Sequence, residues 1–358
     1  MSEFRIDKIT NRVGDAGTQI AGITTFSGTS GMIIPGGLTE YRGGRGRGVF
    51  FGGYEHPALT AENQYITIAT TGNAANFGDC RQDISSTGTC ASSTRGISGG
   101  GSTPISPGRT SAIDYVTIPS LGGASMFGDL TTSRRYLAAF NNPTRGVFCG
   151  GNNPSNPPSR QNTVDYITMA SAGDATDFGD LAVDAGNISN ENDDMGGCSS
   201  PTRGILFGGG NSSNVIQYIT TATLGNTKDF GDLTQGTVRF CAASSNSTRG
   251  INAGGNSPST NGINTMEYVT IATLGNAANF GDLSVARSLL GSLASSTRAI
   301  FAGGYIYPSP SVTYNTIDYV TIASAGNAQD FGDLTYTGQT NGASRSVSGC
   351  ADVNGGLG

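Results

Sequence analysis

Short apolar runs separated by Gly, Asn, Ser and Pro dominate the hydrophobic pattern of this chain. In "TIDYVTIAS", Thr316–Ser324, alternate side chains point to opposite sides of a strand, and both sets are largely apolar. Such a strand is covered on both faces. No segment keeps the 3.6-residue period of an amphipathic helix for three turns. The pattern therefore predicts an all-β protein with many turns.

This strand pattern occurs six times, with a tyrosine at steps of 50, 51, 52, 50 and 51 residues. Each tyrosine is followed twelve residues later by Phe-Gly-Asp and is preceded by an arginine-led run that ends in a Gly doublet. The segment between doublet and tyrosine varies from eight to fourteen residues. Fixed blocks with variable joints indicate strands connected by surface loops. The tyrosines are Tyr65, Tyr115, Tyr166, Tyr218, Tyr268 and Tyr319.

Each repeat supplies four short strands, and a Gly doublet closes the second of them. From Arg47 onward this arrangement resembles the kelch-type β-propeller, although kelch blades typically have Trp where this chain has Phe and no Trp at all. The resemblance implies a kelch-like propeller over residues 45–358, with six repeats of about 50 residues forming six blades. Residues 1–44 do not repeat and are expected to form a short extended N-terminal arm. A β-solenoid is the rival architecture, but its rungs are usually shorter.

The ring is expected to close through the two chain ends, because the chain enters the repeats at a second strand. A C-terminal strand near Tyr336–Ser344 is predicted to supply the missing first strand of blade one. The sequence "SRSVSG", Ser344–Gly349, looks like the start of another repeat, so seven blades are the alternative to six.

One arginine and one aspartate per repeat are interpreted as structural rather than functional. Arginine forms charge-assisted, bidentate hydrogen bonds with carboxylates, so each arginine is predicted to contact an aspartate in its own blade or the next. The arginines are Arg47, Arg95, Arg145, Arg203, Arg249 and Arg298. The aspartates are Asp79, Asp129, Asp180, Asp232, Asp282 and Asp333.

Composition and charge argue against several classes of function. A net charge of −6 argues against nucleic-acid binding, and no apolar run is long enough for a membrane span. The six cysteines contain no CxxC pair and are expected to be buried apolar residues, although Cys80 and Cys90 are close enough in sequence to bridge adjacent strands. With His56 as the single histidine, neither a catalytic set nor a metal site or cofactor is expected. Calcium binding by the acidic segment Asn187–Gly197 is weighed against a solvated loop, which is favoured.

The N-terminal segment, "FRIDKITNRVGDAGTQIAGITTFSGTSGMIIPGG", Phe4–Gly37, carries a second resemblance. It is similar to the leading segments of structural and tail-fibre proteins of marine bacteriophages, especially cyanophages. The resemblance implies a non-enzymatic virion protein, a tail-fibre or particle-surface component that is assembled in the bacterial host and then extracellular. Its propeller would either contact the host surface or decorate the particle. Residues 1–44 would anchor it to other virion proteins or to copies of itself. The alternative is a bacterial kelch-like carbohydrate-active enzyme or interaction scaffold.

A ligand surface is predicted where ring closure makes blades one and six neighbours. The loops between doublet and tyrosine are aromatic in these two blades, "YEHPALTAENQ" at Tyr54–Gln64 and "YIYPSPSVTYN" at Tyr305–Asn315. Aromatic faces suit sugar rings. The candidate residues for contact with a host-surface glycan are Tyr54, His56, Tyr305, Tyr307 and Tyr314. The alternative is that these side chains only pack their own loops.

Overall fold

The structure is a computed structural model, and it describes residues 26–27, 31–32, 46–55, 58–156, 159–182, 193–210, 213–236, 238–257, 260–306, 312–337 and 342–353. These residues form six four-stranded antiparallel sheets that follow one another around a ring as the blades of a β-propeller. The all-β class and the count of six blades are thus confirmed, and the seven-blade alternative is wrong. No helix in the described ranges has the length and apolarity needed to cross a membrane.

The strands of blades one to six have nearly the same bounds in every repeat. The innermost strands are Ser348–Ala351, Gly88–Ala91, Ala138–Asn141, Gly196–Ser199, Ala242–Ser245 and Gly291–Ala294. The second strands are Arg47–Phe51, Arg95–Gly99, Arg145–Cys149, Arg203–Phe207, Arg249–Ala253 and Arg298–Ala302. The third strands are Glu62–Thr67, Ala112–Thr117, Thr163–Thr168, Val215–Thr220, Thr265–Thr270 and Thr316–Thr321. The outer strands are Ala75–Asp79, Ser125–Asp129, Thr176–Asp180, Lys228–Asp232, Ala278–Asp282 and Gln329–Asp333.

Blade one is built from both chain ends, as expected, but a different segment closes it. Ser348–Ala351 pairs with Arg47–Phe51, and Val49 lies opposite Cys350. The prediction of a closing strand at Tyr336–Ser344 is wrong because this stretch belongs to the connection from blade six, where Tyr336 and Ser344 are buried. The segment "SRSVSG" therefore leads into the last inner strand and does not begin a seventh blade.

Apolar side chains of neighbouring blades share the core. At the closure, Phe50 and Ile66 of blade one pack in one cluster with Ile300, Ile317 and Phe331 of blade six. Each of these side chains is at most 2% exposed, and burying one stabilises the fold by about 1.5–3 kcal/mol. The apolar residues on both faces of the third strand are explained by this packing, since each sheet is covered by two neighbours.

The repeated arginines join blades through tyrosine rings and carbonyl groups. Arg249, for example, lies over the Tyr268 ring at 4.4 Å and donates from Nη1 to the Ile322 carbonyl of the next blade at 2.8 Å. The tyrosine in turn packs edge-to-face on the phenylalanine twelve residues later, here Phe280 at 6.0 Å. Arg298 makes the equivalent bond to Ile68 across the closure. The same stack occurs in all six blades.

The predicted arginine–aspartate pairs are wrong. None of the ion pairs between described residues joins members of the two sets. The reason is strand direction: Arg47 lies opposite Thr67 at one end of the third strand, whereas Asp79 lies opposite Glu62 at the other end. An antiparallel sheet places the start of its second strand and the end of its fourth strand at opposite ends.

The Phe-Gly-Asp sequence forms a second joint between blades, on the outer strand. The peptide N–H of Asp232 donates to Asn276 of the next blade at 3.0 Å, and the Asp232 carbonyl accepts from Ala277 at 2.8 Å. Five of the six aspartates use their peptide N–H in this way, donating to an Asn or Asp side chain of the next blade. The turn of one blade thereby covers the outer edge of the previous one, an edge that would otherwise be open to aggregation.

Among the described residues, the blades enclose two ion pairs and six free thiols. The ion pairs Arg134–Asp165 and Arg287–Asp318 are fully buried at 2.9 Å. All six cysteines are buried and free, which confirms their interpretation as apolar residues and leaves Cys80 and Cys90 unbridged. Burial raises the pKa of Cys80 to about 12, so this thiol stays protonated at neutral pH.

The predicted N-terminal arm, residues 1–44, lies almost wholly outside the described residues. Within it the structure describes one short antiparallel pair, Phe26–Ser27 with Gly31–Met32. The anchoring role assigned to this segment therefore stays a prediction.

Candidate functional site

Two kinds of connection lie on the same face of the propeller, here called the upper face. They are the loops between second and third strands and the connections from each outer strand to the next inner strand. All six sheets have the same order and are antiparallel, so these connections emerge at the same end of every blade. The opposite, lower face carries the arginine–tyrosine stacks. As expected, the variable loops thus share one face.

A closed ring of backbone hydrogen bonds surrounds the axis at the upper face. In each blade, the residue two positions before the inner strand is left-handed and donates its N–H to the equivalent carbonyl of the neighbouring blade, at 2.8–3.0 Å. The six residues are Ser86, Tyr136, Asp194, Phe240, Leu289 and Ser346. Below this ring the inner strands enclose a channel of about 170 Å³, lined largely by Ser, Thr, Ala and Gly. These hydrogen bonds join all six blades at the same height along the axis, so they restrict the backbone positions of the residues next to the ring.

The residue that precedes each ring member differs in chemical type among the blades. Three of the six are arginines, at alternate blades, and the others are two serines and one aspartate. Their backbones pair with the residue that follows each Gly doublet. The six are Arg345, Ser85, Arg135, Asp193, Arg239 and Ser288, for blades one to six. Their partners after the doublets are Tyr54, Ser102, Asn152, Gly210, Asn256 and Tyr305.

Blades one and six differ from the other blades in this region. Among the described residues, only in these two blades does the loop between the second and third strands form an additional β-hairpin. The hairpins are Gly53–Glu55 with Ala58–Thr60 and Tyr305–Ile306 with Val312–Thr313. In both hairpins the residue that follows the doublet lies in the first strand, and in both blades this residue is tyrosine. The closure of the ring places these two hairpins side by side.

Tyr54 and Tyr305 meet at Arg345, and these three residues are here called the closure cluster. The Arg345 guanidinium carbon lies 4.7 Å from the Tyr54 ring centroid and 4.0 Å from that of Tyr305. Two backbone hydrogen bonds tie Tyr54 to Arg345, and two more tie Tyr305 to Ser288. All three side chains are half-buried. The cluster thus offers two aromatic rings and one cation on a framework held by main-chain bonds.

The other predicted patch residues have different positions. The Tyr314 backbone bonds to Gly304 and Ser344, beside the cluster. Tyr314 is half-buried, and its part in the patch stays a prediction. His56 and Tyr307 lie outside the described residues. Sequence reasoning missed Arg345, which lies in the segment that was interpreted as the start of a further repeat.

Blades three to five carry a mixed charge cluster on the same face. Asp193 pairs with Arg160 at 3.0 Å, so its carboxylate is already neutralised. Burial, and next the neighbouring Asp193, raise the pKa of Asp194 well above its ordinary value, while Arg239, Arg160 and Arg135 oppose this rise. Within the described ranges, no group of three or more His, Cys, Asp or Glu side chains is placed to hold a metal ion. Of the acidic segment Asn187–Gly197, residues 187–192 lie outside those ranges.

No protein-family model matches this sequence, and no curated protein is significantly similar to it. Functional inference therefore depends on the geometry of the site and on the resemblance of the N-terminal segment.

Proposed function

We propose that this chain is a non-enzymatic virion protein of a bacteriophage, which attaches to the particle through residues 1–44 and presents its upper face to host-surface glycan. The observation that carries the proposal is the closure cluster. Two tyrosines separated by 250 residues converge on one arginine, in the two blades whose loops form extra hairpins. Aromatic faces beside hydrogen-bond donors are a common chemistry for sugar binding.

Rigidity also supports a binding role. Tyr54 and Tyr305 are held by main-chain hydrogen bonds at the start of their hairpins, and tyrosine has few rotatable bonds to immobilise. A surface fixed before binding loses less entropy when a ligand arrives. The virion assignment is supported by the resemblance of Phe4–Gly37 to leading segments of marine phage structural proteins.

The glycan proposal is tested with the double variant Tyr54→Ala, Tyr305→Ala in the full chain. The matched control is Asn152→Ala, Asn256→Ala, which changes the equivalent residues of blades three and five. We expect the tyrosine variant to lose binding on a glycan array and adsorption to host cells, and the control to retain both. Equal glycan binding by the two variants would contradict the proposal. Binding unrelated to glycan would favour an interaction scaffold, and turnover of a glycan would favour an enzyme.

The virion assignment has a separate test. Mass spectrometry of purified particles from the source phage should detect the chain as a component. A chain lacking residues 1–40 should fold but should not be incorporated when it competes with the full chain during assembly. Normal incorporation of the shortened chain would exclude residues 1–40 as the anchor.

A further inference from the structure

Arg345 differs in its contacts from the two arginines that occupy the same position in other blades. Arg239 donates from Nε to Asn256 at 3.1 Å. In the part of the chain that the structure describes, Arg135 forms no side-chain hydrogen bond or ion pair, and it lies over one ring, that of the adjacent Tyr136, at 5.2 Å. Among the described residues, no side-chain hydrogen bond or ion pair is formed by Arg345, whose recorded contacts are the two tyrosine rings. The acidic residue of the same blade's third strand, Glu62, is already bonded to Gln64 and Thr337. Among the described residues, Arg345 therefore carries a positive charge that no carboxylate pairs.

Stacking leaves the hydrogen-bonding edge of a guanidinium unused. The group is planar, and its five N–H donors point outward in the plane, whereas ring contacts use its faces. A carboxylate matches two of these donors in a bidentate arrangement. Because Tyr54 and Tyr305 already restrict the position of Arg345, less rotamer entropy is lost when a ligand binds. The edge of Arg345 is thus suited to a planar anion that arrives beside the rings.

We infer that the closure cluster binds a carboxylate-bearing sugar, such as a uronic acid residue of a surface polysaccharide. The carboxylate pairs with the Arg345 edge, and the sugar ring packs against Tyr54 or Tyr305. This inference rests on the proposed function and specifies its ligand class. The net charge of the chain is −6, so long-range attraction of polyanions is weak and recognition depends on contact at this cluster.

Three oligosaccharide probes show which chemical group of the ligand is recognised. They are an oligosaccharide of galacturonic acid, the same oligosaccharide with its carboxyl groups reduced to alcohols, and a sulfated oligosaccharide of similar length. Binding to the full chain is measured by calorimetry at physiological salt. We expect binding of the uronate and at least tenfold weaker binding of the reduced and sulfated forms.

Two variants and one control test the role of Arg345. Arg345→Gln removes the charge and should weaken uronate binding by about 10- to 100-fold, the loss expected for charge-assisted hydrogen bonds. Arg345→Lys keeps the charge without the bidentate edge and should give an intermediate loss. The control Arg239→Gln removes a cation at the equivalent position of blade five and should change binding less than twofold. Melting temperatures verify that each variant is folded.

The outcomes distinguish this inference from the proposed function. Equal binding of uronate and reduced oligosaccharide, with loss in Tyr54→Ala, Tyr305→Ala alone, would overturn the inference and leave glycan binding in place. Preference for the sulfated probe would overturn the carboxylate assignment. Equal losses in Arg345→Gln and Arg239→Gln would indicate general electrostatics and also overturn it. Absence of binding to all three probes and to a wider glycan array would overturn both proposals.

Discussion

The lower face repeats one arrangement in every blade, whereas the upper face varies at equivalent positions. At the lower face, six arginines lie on six tyrosines at 4.4–5.0 Å, and each donates to a carbonyl of the next blade. At the upper face, the position before the ring of hydrogen bonds holds Arg, Ser or Asp, and its partner is Tyr, Asn, Ser or Gly. A group that occurs once per blade holds the blades together. A group that departs from the repeat is therefore a better candidate for recognition.

The largest effect is expected from removing the closing strand. A chain without residues 344–358 loses Ser348–Ala351 and leaves the Arg47–Phe51 edge unpaired, with the apolar residues of blade one uncovered. We expect aggregation in place of a folded monomer, measured by size-exclusion chromatography with light scattering. The control chain without residues 1–40 should remain folded. A monomeric chain with unchanged melting temperature after the C-terminal truncation would contradict closure through this strand.

The repeated framework could be predicted from the sequence because its residues recur at fixed spacing. The gap of twelve residues between Tyr268 and Phe280 indicated a single structural task in all six blades, and the structure assigns it to a ring–ring contact. The partners of Arg249 could not be predicted in the same way. The spacing of residues along the chain does not say which residues of neighbouring blades meet. The acceptor of the Arg249 hydrogen bond is the backbone carbonyl of Ile322, a group that every residue has and that no sequence pattern marks.

The candidate site could be predicted in part. The aromatic loops and the closure of the ring were sufficient to bring Tyr54 and Tyr305 together. Arg345 could not be selected, because the closing strand was expected several residues too early and the segment that holds Arg345 was interpreted as the start of a further repeat. Once Ser348–Ala351 is fixed as the inner strand, Arg345 falls at the same position as Arg135 and Arg239.

A pair of glycines tests whether blade contacts dictate the Phe-Gly-Asp sequence. Gly231 and Gly275 have nearly equal φ values of +148° and +149°. A Cβ on Gly231 would lie 2.5 Å from the Gly275 backbone of the next blade, whereas a Cβ on Gly275 would meet nothing within 4 Å. Both alanine variants are strained, but only Gly231→Ala forces the blades apart. We expect Gly231→Ala to lower the unfolding free energy by about 2 kcal/mol more than Gly275→Ala does. If chemical denaturation shows equal losses of unfolding free energy for the two variants, Gly231 is required for its backbone conformation alone and not for the contact between blades.

A pair of arginines compares the two faces directly. Arg249→Gln removes the stack on Tyr268 and the bond to Ile322, and should lower unfolding free energy by about 1–2 kcal/mol. Arg239→Gln at the upper face removes a stack on Phe240 and a bond to Asn256, which lies within the same blade. We expect a smaller loss there, because the broken hydrogen bond does not join two blades. A larger loss for Arg239→Gln would show that side chains of the upper face, in addition to its backbone ring, hold the blades together.

The smallest effect is expected at Asp194, where the upper face keeps a buried carboxyl with one oxygen that lacks a hydrogen-bond partner among the described residues. Burial raises its pKa well above the ordinary 3.8, so the folded state binds the proton more tightly than the unfolded state does. Stability linked to this group is therefore present at acidic pH and is lost as pH rises from about 4 through the folded-state pKa. The variant Asp194→Asn avoids this loss. Its melting temperature should match the parent near pH 4 and exceed it by about 2 °C at pH 8. A difference that does not change with pH, or a lower melting temperature at pH 8, would mean that Arg135, Arg160 and Arg239 stabilise the ionised carboxylate more than burial destabilises it.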